Sequence, residues 1–408
     1  MRAIRVLHLL LCAVLSTAAV ASASPRITGA STQPKAVNVH GAAEARLVRI
    51  YKLIGAGNTR QALQQARSLS TDFPHFQLAQ LVYGDLLLAQ YGPLRRLGDV
   101  PDDLALAGAE NLKDLRREAE LRLAGLTYRP APGAIPAPFL SLSAVNRHAI
   151  AVDVSRARLY LFENRAGTLQ LVADYYISIG KAGVGKALEG DQRTPLGVYF
   201  VTSNLDRRRL RDFYGSGALP INYPNAYDVR RGRGGSGIWL HGTPPTQYSR
   251  APQATDGCVA VANPDLEHIL RTVQIRTTPV LIAQQISWVP PQSLANDKVS
   301  MEKLLDAWSR AKSGGDPTAL AAFYAPDFSA DGRDLATHQA TLKTDMARVR
   351  GRALTLKDVS VLGWSEGADV RVVTFAEVPA GARTGKQVRQ YWERRGAAWK
   401  IVYETELR

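Results

Sequence analysis

Two proline-rich joints divide this chain into three parts of different composition. Pro130, Pro132, Pro136 and Pro138 fall within nine residues, and Pro290-Pro291 forms a second joint. Proline fixes φ and lacks a backbone N–H, so such stretches are extended, fairly stiff and typical of interdomain linkers. The 408 residues also exceed what one hydrophobic core usually serves. We therefore predict linkers at residues 129–146 and 287–298.

The part before the first joint has helical periodicity. Apolar residues recur at i, i+3, i+4 and i+7 on Leu47, Ile50, Tyr51 and Ile54. Further periodic segments follow, ending in a charged helix over residues 104–123. The first helical pair resembles a tetratricopeptide-type hairpin, but a single unit is not a repeat array. We predict a helical domain at residues 42–128 that serves packing or homodimer formation.

Between the joints the pattern changes to β structure. Ile150, Val152 and Val154 alternate with small or polar residues, as a half-buried strand requires. Further short strands are predicted at residues 159–162, 175–179, 197–201, 238–240 and 280–283. Many short strands with glycine-bearing turns favour a mainly antiparallel β-sandwich or barrel, which we place at residues 147–286.

The part after the second joint combines both patterns. Helices are predicted at residues 299–311, 319–324 and 335–349, and strands at residues 371–378, 387–394 and 399–404. Gly396 lies in the turn between the last two strands. A few helices followed by a curled antiparallel sheet form an α+β cone, here residues 299–408. The chain is thus predicted to be a multidomain α+β protein.

The N-terminus has the features of an export signal. Arg2 and Arg5 precede an apolar run over residues 6–15, and small residues follow up to Ala23. The run is too short to span a bilayer, so we predict a signal peptide at residues 1–23 and a disordered leader at residues 24–41. An uncleaved anchor is the alternative. Cleavage would place the mature protein in the periplasm without a stable membrane span.

The formal net charge of +15 indicates an anionic partner. Nucleic acid is not expected, because the chain has an export signal and lacks zinc-finger, helix-turn-helix and RNP-like patterns. The carboxylates of the cell wall, or an acidic membrane surface, fit better. Surface arginine from coding bias explains the charge equally well. No cofactor is expected, and no metal site, since His, Cys and carboxylates never cluster at ligand spacing.

Removal of the signal would leave Cys258 as the only cysteine of the two in the chain. A lone thiol cannot form an intrachain disulfide, and His241 lies seventeen positions upstream. A thiol and an imidazole in reach of each other are the parts of a nucleophile and its base. The backbone N–H groups of Gly257 and Cys258 are natural donors to a tetrahedral oxyanion. An inert, buried cysteine is the alternative.

Four separated motifs extend this pairing. They are Ser-Ile-Gly-Lys-Ala-Gly at residues 178–183, Gly-Asp-Gln-Arg-Thr-Pro-Leu-Gly at residues 190–197, His241-Gly242 and Asp256-Gly257-Cys258. Their order resembles the L,D-transpeptidase (YkuD-type) catalytic domain, which acts on bacterial peptidoglycan. The likeness covers about a third of the chain. It implies that Cys258 is the nucleophile, that His241 is general base and acid, and that the Gly242 carbonyl orients the imidazole.

The sequence departs from the family pattern in two places. Thr255-Asp256 stands where most members read Ser-His, and Ala260 stands where an arginine follows. We predict that Arg250 supplies the missing positive charge. The candidates for substrate binding are Arg250, Tyr223, Tyr227, Asp256 and Thr255. Packing is the alternative role for the two tyrosines, and turn formation is the alternative for Asp256.

The C-terminal part resembles a nuclear-transport-factor-2-like (SnoaL-like) domain, and the three-part arrangement resembles cell-shape L,D-carboxypeptidases. The resemblance implies an L,D-transpeptidase that cleaves the diaminopimelate–D-alanine bond of a stem peptide and transfers the acyl group to an amine. An L,D-carboxypeptidase, which uses water as acceptor, is the first alternative, and a non-catalytic wall-binding scaffold is the second. For the C-terminal part a binding or dimerising role is favoured over a second active site built on Asp331 and His338.

Overall fold

The computed structural model describes residues 41–99, 108–330, 332–349, 352–365 and 367–407. The predicted signal peptide and all but the last residue of the predicted leader lie outside these residues, as does Asp331. Within the described ranges, no helix combines the length and the apolar character needed to cross a membrane.

The N-terminal residues form a helical unit. Its described helices are α1 (Ala42–Gly55), α2 (Thr59–Asp72), α3 (Gln77–Leu88) and α4 (Ala109–Thr127). Residues 104–107 of the predicted fourth helix lie outside the described ranges. The apolar positions that predicted the first helices form the buried core, including Leu47, Ile50, Ala62, Ala66 and Leu69. Gly57, at φ +76°, makes the turn between α1 and α2.

The two proline-rich joints pair with each other. Strand β1 (Ile135–Pro136) lies antiparallel to β11 (Trp288–Val289). Trp288 packs its ring against Tyr160 of the central sheet, with centroids 4.8 Å apart. The start and the end of the central unit are therefore tied side by side.

The central unit is built on one nine-stranded sheet. Its strands are β2 (His148–Asp153), β3 (Arg158–Arg165), β4 (Thr168–Gly180), β5 (Gly197–Phe200), β6 (Ala218–Pro220), β7 (Trp239–His241), β8 (Gln253–Thr255), β9 (Val259–Val261) and β10 (Pro279–Ala283). Helices α5 (Ala226–Arg230) and α6 (Asn263–Thr272) lie between strands. The strand order is β5-β10-β2-β3-β4-β9-β7-β6, with β8 beside β4.

This sheet is mixed and curls back on itself. A bridge between Val201 and Ile221 joins the chain just after β5 to the chain just after β6, the two ends of the strand order. The predicted barrel-like β architecture is therefore confirmed. Three strand pairs are parallel, namely β10–β2, β4–β8 and β7–β9. Alternation of apolar residues does not distinguish parallel from antiparallel neighbours, so the parallel pairs could not be predicted from it.

The C-terminal unit has the predicted order of helices and then sheet. Two helices come first, α7 (Ala295–Gly314) and α8 (Pro317–Ala321). The short antiparallel pair β12 (Ser329–Ala330) and β13 (Arg333–Asp334) follows, and then helix α9 (Leu335–Val349). The closing antiparallel sheet comprises β14 (Leu354–Trp364), β15 (Val370–Pro379), β16 (Lys386–Arg395) and β17 (Ala398–Glu406). The sequence did not predict β14. A bulge near Asp358, at φ +54°, breaks its alternation.

The C-terminal sheet shares a hydrophobic core with one face of the central sheet. Phe162 and Phe200 of the central unit belong to the same buried cluster as Trp308, Trp364 and Phe375. A second cluster fills the other side of the central sheet, around Ile150, Leu161, Tyr199 and Leu240. The α+β cone is therefore packed directly on the central unit.

Charged groups join the helical unit to the central sheet. The Glu44 carboxylate of α1 accepts from Arg122 of α4 at 2.9 Å and from Arg158 of β3 at 2.7 Å. Arg122 also binds Glu118 at 2.7 Å, and Arg158 binds Asp174 at 3.0 Å. We call these five residues the interdomain ion cluster. All are buried, so each charge depends on its neighbours in place of water.

Candidate active site

Strand pairing brings Cys258 and His241 to one place. His241 ends β7, and Cys258 directly precedes β9, which lies parallel to β7 with Leu240 opposite Val259. Side chains alternate between the two faces of a sheet. If this register is extended by one residue, Cys258 and His241 project from the same face of the sheet. They are then diagonal neighbours on adjacent strands. We call them the dyad.

The imidazole of His241 is fixed in one tautomer. Its Nδ1 lies 2.7 Å from the carbonyl oxygen of Gly242. A carbonyl only accepts, so Nδ1 carries the hydrogen and Nε2 holds a free lone pair. Nε2 is buried and has no hydrogen-bond partner among the described residues. Burial lowers the pKa of His241 to about 4, although the Gly242 hydrogen bond opposes this. The ring is therefore a neutral base at neutral pH.

Two aromatic residues enclose the imidazole. The Phe213 ring lies 5.9 Å from that of His241 and tilted to it, and the Tyr214 ring lies edge-on at 5.2 Å. Both come from the 3-10 turn Asp212–Tyr214. The Tyr214 ring also contacts Trp239 at 4.8 Å. These side chains account for the desolvation of His241, and sequence reasoning did not find them.

The thiol of Cys258 is partly exposed and protonated at rest. Sγ donates to the carbonyl of Gly237 at 3.4 Å. Burial raises the pKa of the Cys258 thiol to about 11, and the Trp239 N–H, which donates to the sulfur, opposes that rise. The Asp256 charge raises this pKa further, whereas Lys186 and Arg250 lower it. The dyad is thus a neutral thiol beside a neutral imidazole.

Gly242 is required by its surroundings. A Cβ at this position would lie 2.1 Å from Oδ1 of Asn263. That oxygen accepts from the backbone N–H of Ser216 at 2.9 Å and of Thr243 at 3.1 Å. Asn263 thus holds the turn after His241 against the turn that carries Phe213 and Tyr214. Its role was not predicted.

Gly257 shapes the turn that presents the cysteine. Its φ is +126°, and a Cβ would lie 2.7 Å from the carbonyl oxygen of Arg193. The Gly257 N–H donates to Oγ1 of Thr255 at 3.2 Å, and that hydroxyl donates to the carbonyl of Cys258 at 2.7 Å. Thr194 donates to the carbonyl of Gly257 at 2.9 Å. Thr255 therefore accepts here from the N–H that was predicted to serve an oxyanion hole, and that role of Gly257 stays a prediction.

Asp256 lies at the exposed rim of the site. Its Oδ1 accepts from Nζ of Lys181 at 3.0 Å and from Nε2 of Gln192 at 3.3 Å. Both partners belong to the loop that follows β4. Asp256 therefore joins this loop to the cysteine turn, and it places a negative charge beside the thiol.

Arg250 lies close enough to both dyad residues to influence their charges. Its guanidinium carbon is 4.4 Å from the centroid of the Phe213 ring, and that ring also contacts His241. The charge of Arg250 lowers the pKa of both Cys258 and His241. Nη1 of Arg250 is buried and has no hydrogen-bond partner within the described residues. A cation with one buried donor that no described residue uses thus lies near the dyad.

The two predicted tyrosines are held by contacts within the fold. The Tyr223 hydroxyl is buried and donates to the carbonyl of Gly234 at 3.0 Å. Tyr227 is buried against the C-terminal unit, where it stacks on Tyr391 with centroids 5.9 Å apart and contacts Trp364. The structure therefore gives Tyr223 a loop-fixing position and Tyr227 a packing position.

Comparison with known proteins gives the family of the central unit. Residues 147–282 match YkuD, the L,D-transpeptidase catalytic domain. No curated protein matches the chain. The central unit is therefore, by its match to this family model, an L,D-transpeptidase catalytic domain of a peptidoglycan-related enzyme family. Within the described residues, no group of three or more His, Cys, Asp or Glu side chains could hold a metal ion.

Solved structures extend the likeness beyond the central unit. Bd1075 of Bdellovibrio bacteriovorus is 24% identical, with a TM-score of 0.58 over 67% of this chain and 98% of that chain. The helical cell shape determining protein Pgp2 of Campylobacter jejuni is 19% identical, with a TM-score of 0.52 over 71% of this chain and 99% of that chain. These similarities show a shared fold across most of the chain.

Proposed function

We propose that this protein is a periplasmic L,D-transpeptidase that acts on peptidoglycan stem peptides through a thioester on Cys258. It cleaves the diaminopimelate–D-alanine bond and transfers the acyl group to an amine. The observation that carries the proposal is the buried Nε2 of His241, which has no hydrogen-bond partner in the described part of the chain. It lies on the strand beside Cys258, and the other ring nitrogen is held by Gly242. Such a nitrogen can accept the proton of the Cys258 thiol.

Substrate recognition in this proposal depends on Arg250. A stem tetrapeptide ends in the free carboxylate of D-alanine, and a guanidinium binds a carboxylate through two parallel N–H donors. The guanidinium of Arg250 lies against the Phe213 ring, and its buried Nη1 has no hydrogen-bond partner in the ranges that the structure describes. Binding of the terminal carboxylate there would bring the preceding peptide carbonyl towards Cys258.

The acylation step begins from the neutral dyad. As Sγ of Cys258 attacks the diaminopimelate carbonyl carbon, the thiol proton passes to Nε2 of His241 and the carbonyl oxygen becomes an oxyanion. The backbone N–H groups of Cys258 and Gly257 are the predicted donors to that oxyanion, and the Gly257 N–H would have to leave Thr255 to serve it. Collapse re-forms the C=O bond and breaks the C–N bond. His241 returns the proton to the departing amine of D-alanine, and a thioester remains.

The acceptor decides the product. An amine of a second stem peptide attacks the thioester carbonyl, loses its proton to His241, and forms a new peptide bond while the Cys258 thiolate is released and reprotonated. Water in the same position releases a tripeptide. The second candidate function is therefore an L,D-carboxypeptidase. It is favoured by Ala260, which replaces the family arginine, and by the fold shared with a helical cell shape determining protein.

Purified muropeptides test the proposal. The protein is incubated with a tetrapeptide muropeptide, with and without an acceptor stem, and the products are identified by mass spectrometry. A cross-linked product supports transfer, and a tripeptide alone supports hydrolysis. Cys258→Ala is expected to abolish both products and to keep the thermal unfolding profile. Full turnover by Cys258→Ala would contradict the mechanism, and failure of a carbapenem to acylate the native protein would favour the scaffold alternative.

Export is a separate part of the proposal. It is supported by the charged, apolar and small-residue segments of the first 23 residues. Cell fractionation combined with N-terminal sequencing should find the mature protein in the periplasm, beginning at Ser24. A cytoplasmic protein that retains Met1 would contradict it.

A further inference from the structure

The helical unit makes direct contact with the loop that carries Arg250. We call residues 243–250 the Arg250 loop. Tyr248 inserts its ring between Phe73 and Phe76, with centroids 5.4 Å and 4.4 Å away. Its backbone N–H donates to the carbonyl of His75 at 3.0 Å. Among the described apolar residues that pack against the buried core of the helical unit, Tyr248 is the only one from outside that unit.

A second contact lies one residue closer to Arg250. The Ser249 hydroxyl donates to Oε1 of Glu118 on α4 at 2.8 Å. Glu118 is buried and belongs to the interdomain ion cluster, where Arg122 binds it at 2.7 Å. The acceptor of the Ser249 hydrogen bond is therefore itself held rigidly by a charged neighbour.

The same cluster reaches Arg250 from its other side. The Tyr176 hydroxyl of β4 donates to the carbonyl of Arg250 at 3.0 Å. Arg122 lies over the Tyr176 ring at 4.0 Å and over the Phe76 ring at 5.3 Å. One buried guanidinium from the helical unit thus packs on an aromatic ring that contacts Tyr248 and on another that fixes the Arg250 backbone.

We infer that the helical unit is a positioning element of the active site, because it holds Tyr248 and Ser249 and, through them, the backbone from which Arg250 faces the dyad. The inference rests on the role of Arg250 in the proposed function. Tyr248, Ser249 and Glu118 touch neither the dyad nor a substrate in this scheme. They are positioning residues, and their effect on chemistry passes through the guanidinium of Arg250.

A double-mutant cycle on the full chain tests this dependence. Ser249→Ala and Tyr248→Leu are each made alone and combined with Arg250→Ala. The readout is the pH profile of Cys258 alkylation by iodoacetamide, together with kcat/KM on a tetrapeptide muropeptide. The Arg250 charge favours the thiolate, so its displacement should move the alkylation profile towards higher pH. Each single variant is expected to lower the alkylation rate at pH 8 by about three- to fivefold, because the thiolate fraction at that pH follows the pKa of the thiol.

The decisive result is the loss of these effects without Arg250. In the Arg250→Ala background, Ser249→Ala and Tyr248→Leu should change the alkylation rate by less than about twofold. Ser68→Ala and Tyr83→Leu are matched controls, since they remove a hydroxyl that binds Arg46 and a ring that packs within the helical unit. Both controls should leave the profile in place.

Two outcomes would overturn the inference. One is an unchanged alkylation profile in both loop variants, and the other is an effect of the same size with and without Arg250. Alkylation does not require the natural substrate, so it separates this inference from the proposed function. If muropeptides are not processed but the coupling to Arg250 is measured, the positioning role stands and the proposed reaction fails.

Discussion

Ala260 lies directly opposite His241 in the parallel pairing of β9 with β7. Residues opposite each other in a sheet project from the same face, so the Ala260 methyl group and the imidazole are neighbours. The family arginine at this position would therefore lie beside the general base. In this chain a positive charge comes instead from Arg250 in a separate loop, behind the Phe213 ring. We propose that Arg250 takes over the electrostatic role of that arginine from a different place in the fold.

The first prediction concerns that replacement. Arg250→Ala should raise KM for a tetrapeptide muropeptide at least about tenfold, because a charge-assisted hydrogen bond to the terminal carboxylate is lost. Arg250→Lys should recover part of the loss, since it keeps the charge but not the paired donors. Steady-state kinetics measure both, with Arg209→Ala on the exposed turn Arg207–Arg209 as control.

A substrate analogue separates binding from folding in this case. A tetrapeptide whose terminal carboxylate is an amide should be a poor substrate for the native protein. Arg250→Ala should process this amide no more slowly than the native protein does. If Arg250→Ala lowers kcat/KM equally for both peptides, the guanidinium does not bind the carboxylate.

The second prediction concerns pH. The pKa of His241 is lowered to about 4 and that of the Cys258 thiol is raised to about 11. The imidazole is a base only when unprotonated, so kcat/KM should fall on the acid side near pH 4 and not near the ordinary histidine pKa of about 6.5. Iodoacetamide alkylation of Cys258 should rise steadily with pH above neutrality. An alkylation plateau between pH 5 and 8 would show a preformed thiolate–imidazolium pair instead.

The third prediction concerns Asp256, which stands where the family has histidine. Its charge raises the pKa of the Cys258 thiol, so Asp256→Asn should lower that pKa and speed alkylation at pH 8 several-fold. The amide can still accept from Lys181, which keeps the loop contact. Asp206→Asn, at an exposed carboxylate paired with Arg208, is the matched control. A slower reaction of Asp256→Asn would contradict this account of the thiol.

The parts of this protein that could be predicted are those encoded locally. Cys258, His241 and Gly242 are recognisable because short glycine-bearing motifs surround them. Phe213 and Tyr214 were not predicted, because their contact with His241 depends on a turn in an arginine-rich loop without periodicity. Tyr223 and Tyr227, aromatic residues near the motifs, were predicted to bind substrate. Their partners are Gly234, eleven residues from Tyr223, and Tyr391 of the C-terminal unit, and no local pattern reveals either contact.

The fourth prediction concerns Gly242. Gly242→Ala should lower the free energy of unfolding by about 1–3 kcal/mol, because the added methyl group collides with Oδ1 of Asn263, and it should also lower kcat/KM by moving the carbonyl that orients His241. Urea unfolding and kinetics measure the two effects. Gly234→Ala, where a Cβ meets nothing within 4 Å, should be close to neutral. Equal stability of the two variants would contradict the steric explanation.

The fifth prediction concerns the interdomain ion cluster. Glu44→Gln keeps the size of the side chain but removes the charge shared by Arg122 and Arg158, which are 3% and 2% exposed. Each buried guanidinium would keep one carboxylate, Glu118 or Asp174, and lose the other. Breaking a buried pair in this way typically costs about 3–5 kcal/mol, because the remaining charge is left without water.

Urea unfolding should therefore place Glu44→Gln well below the native protein in stability. Glu110→Gln on α4 is the control, since its exposed pair with Lys113 should contribute at most about 1 kcal/mol. The cluster also holds Glu118, the acceptor of Ser249, so Glu44→Gln should shift the Cys258 alkylation profile in the same direction as Ser249→Ala. A loss of stability with an unchanged alkylation profile would mean that the cluster joins the two units without helping to position Arg250.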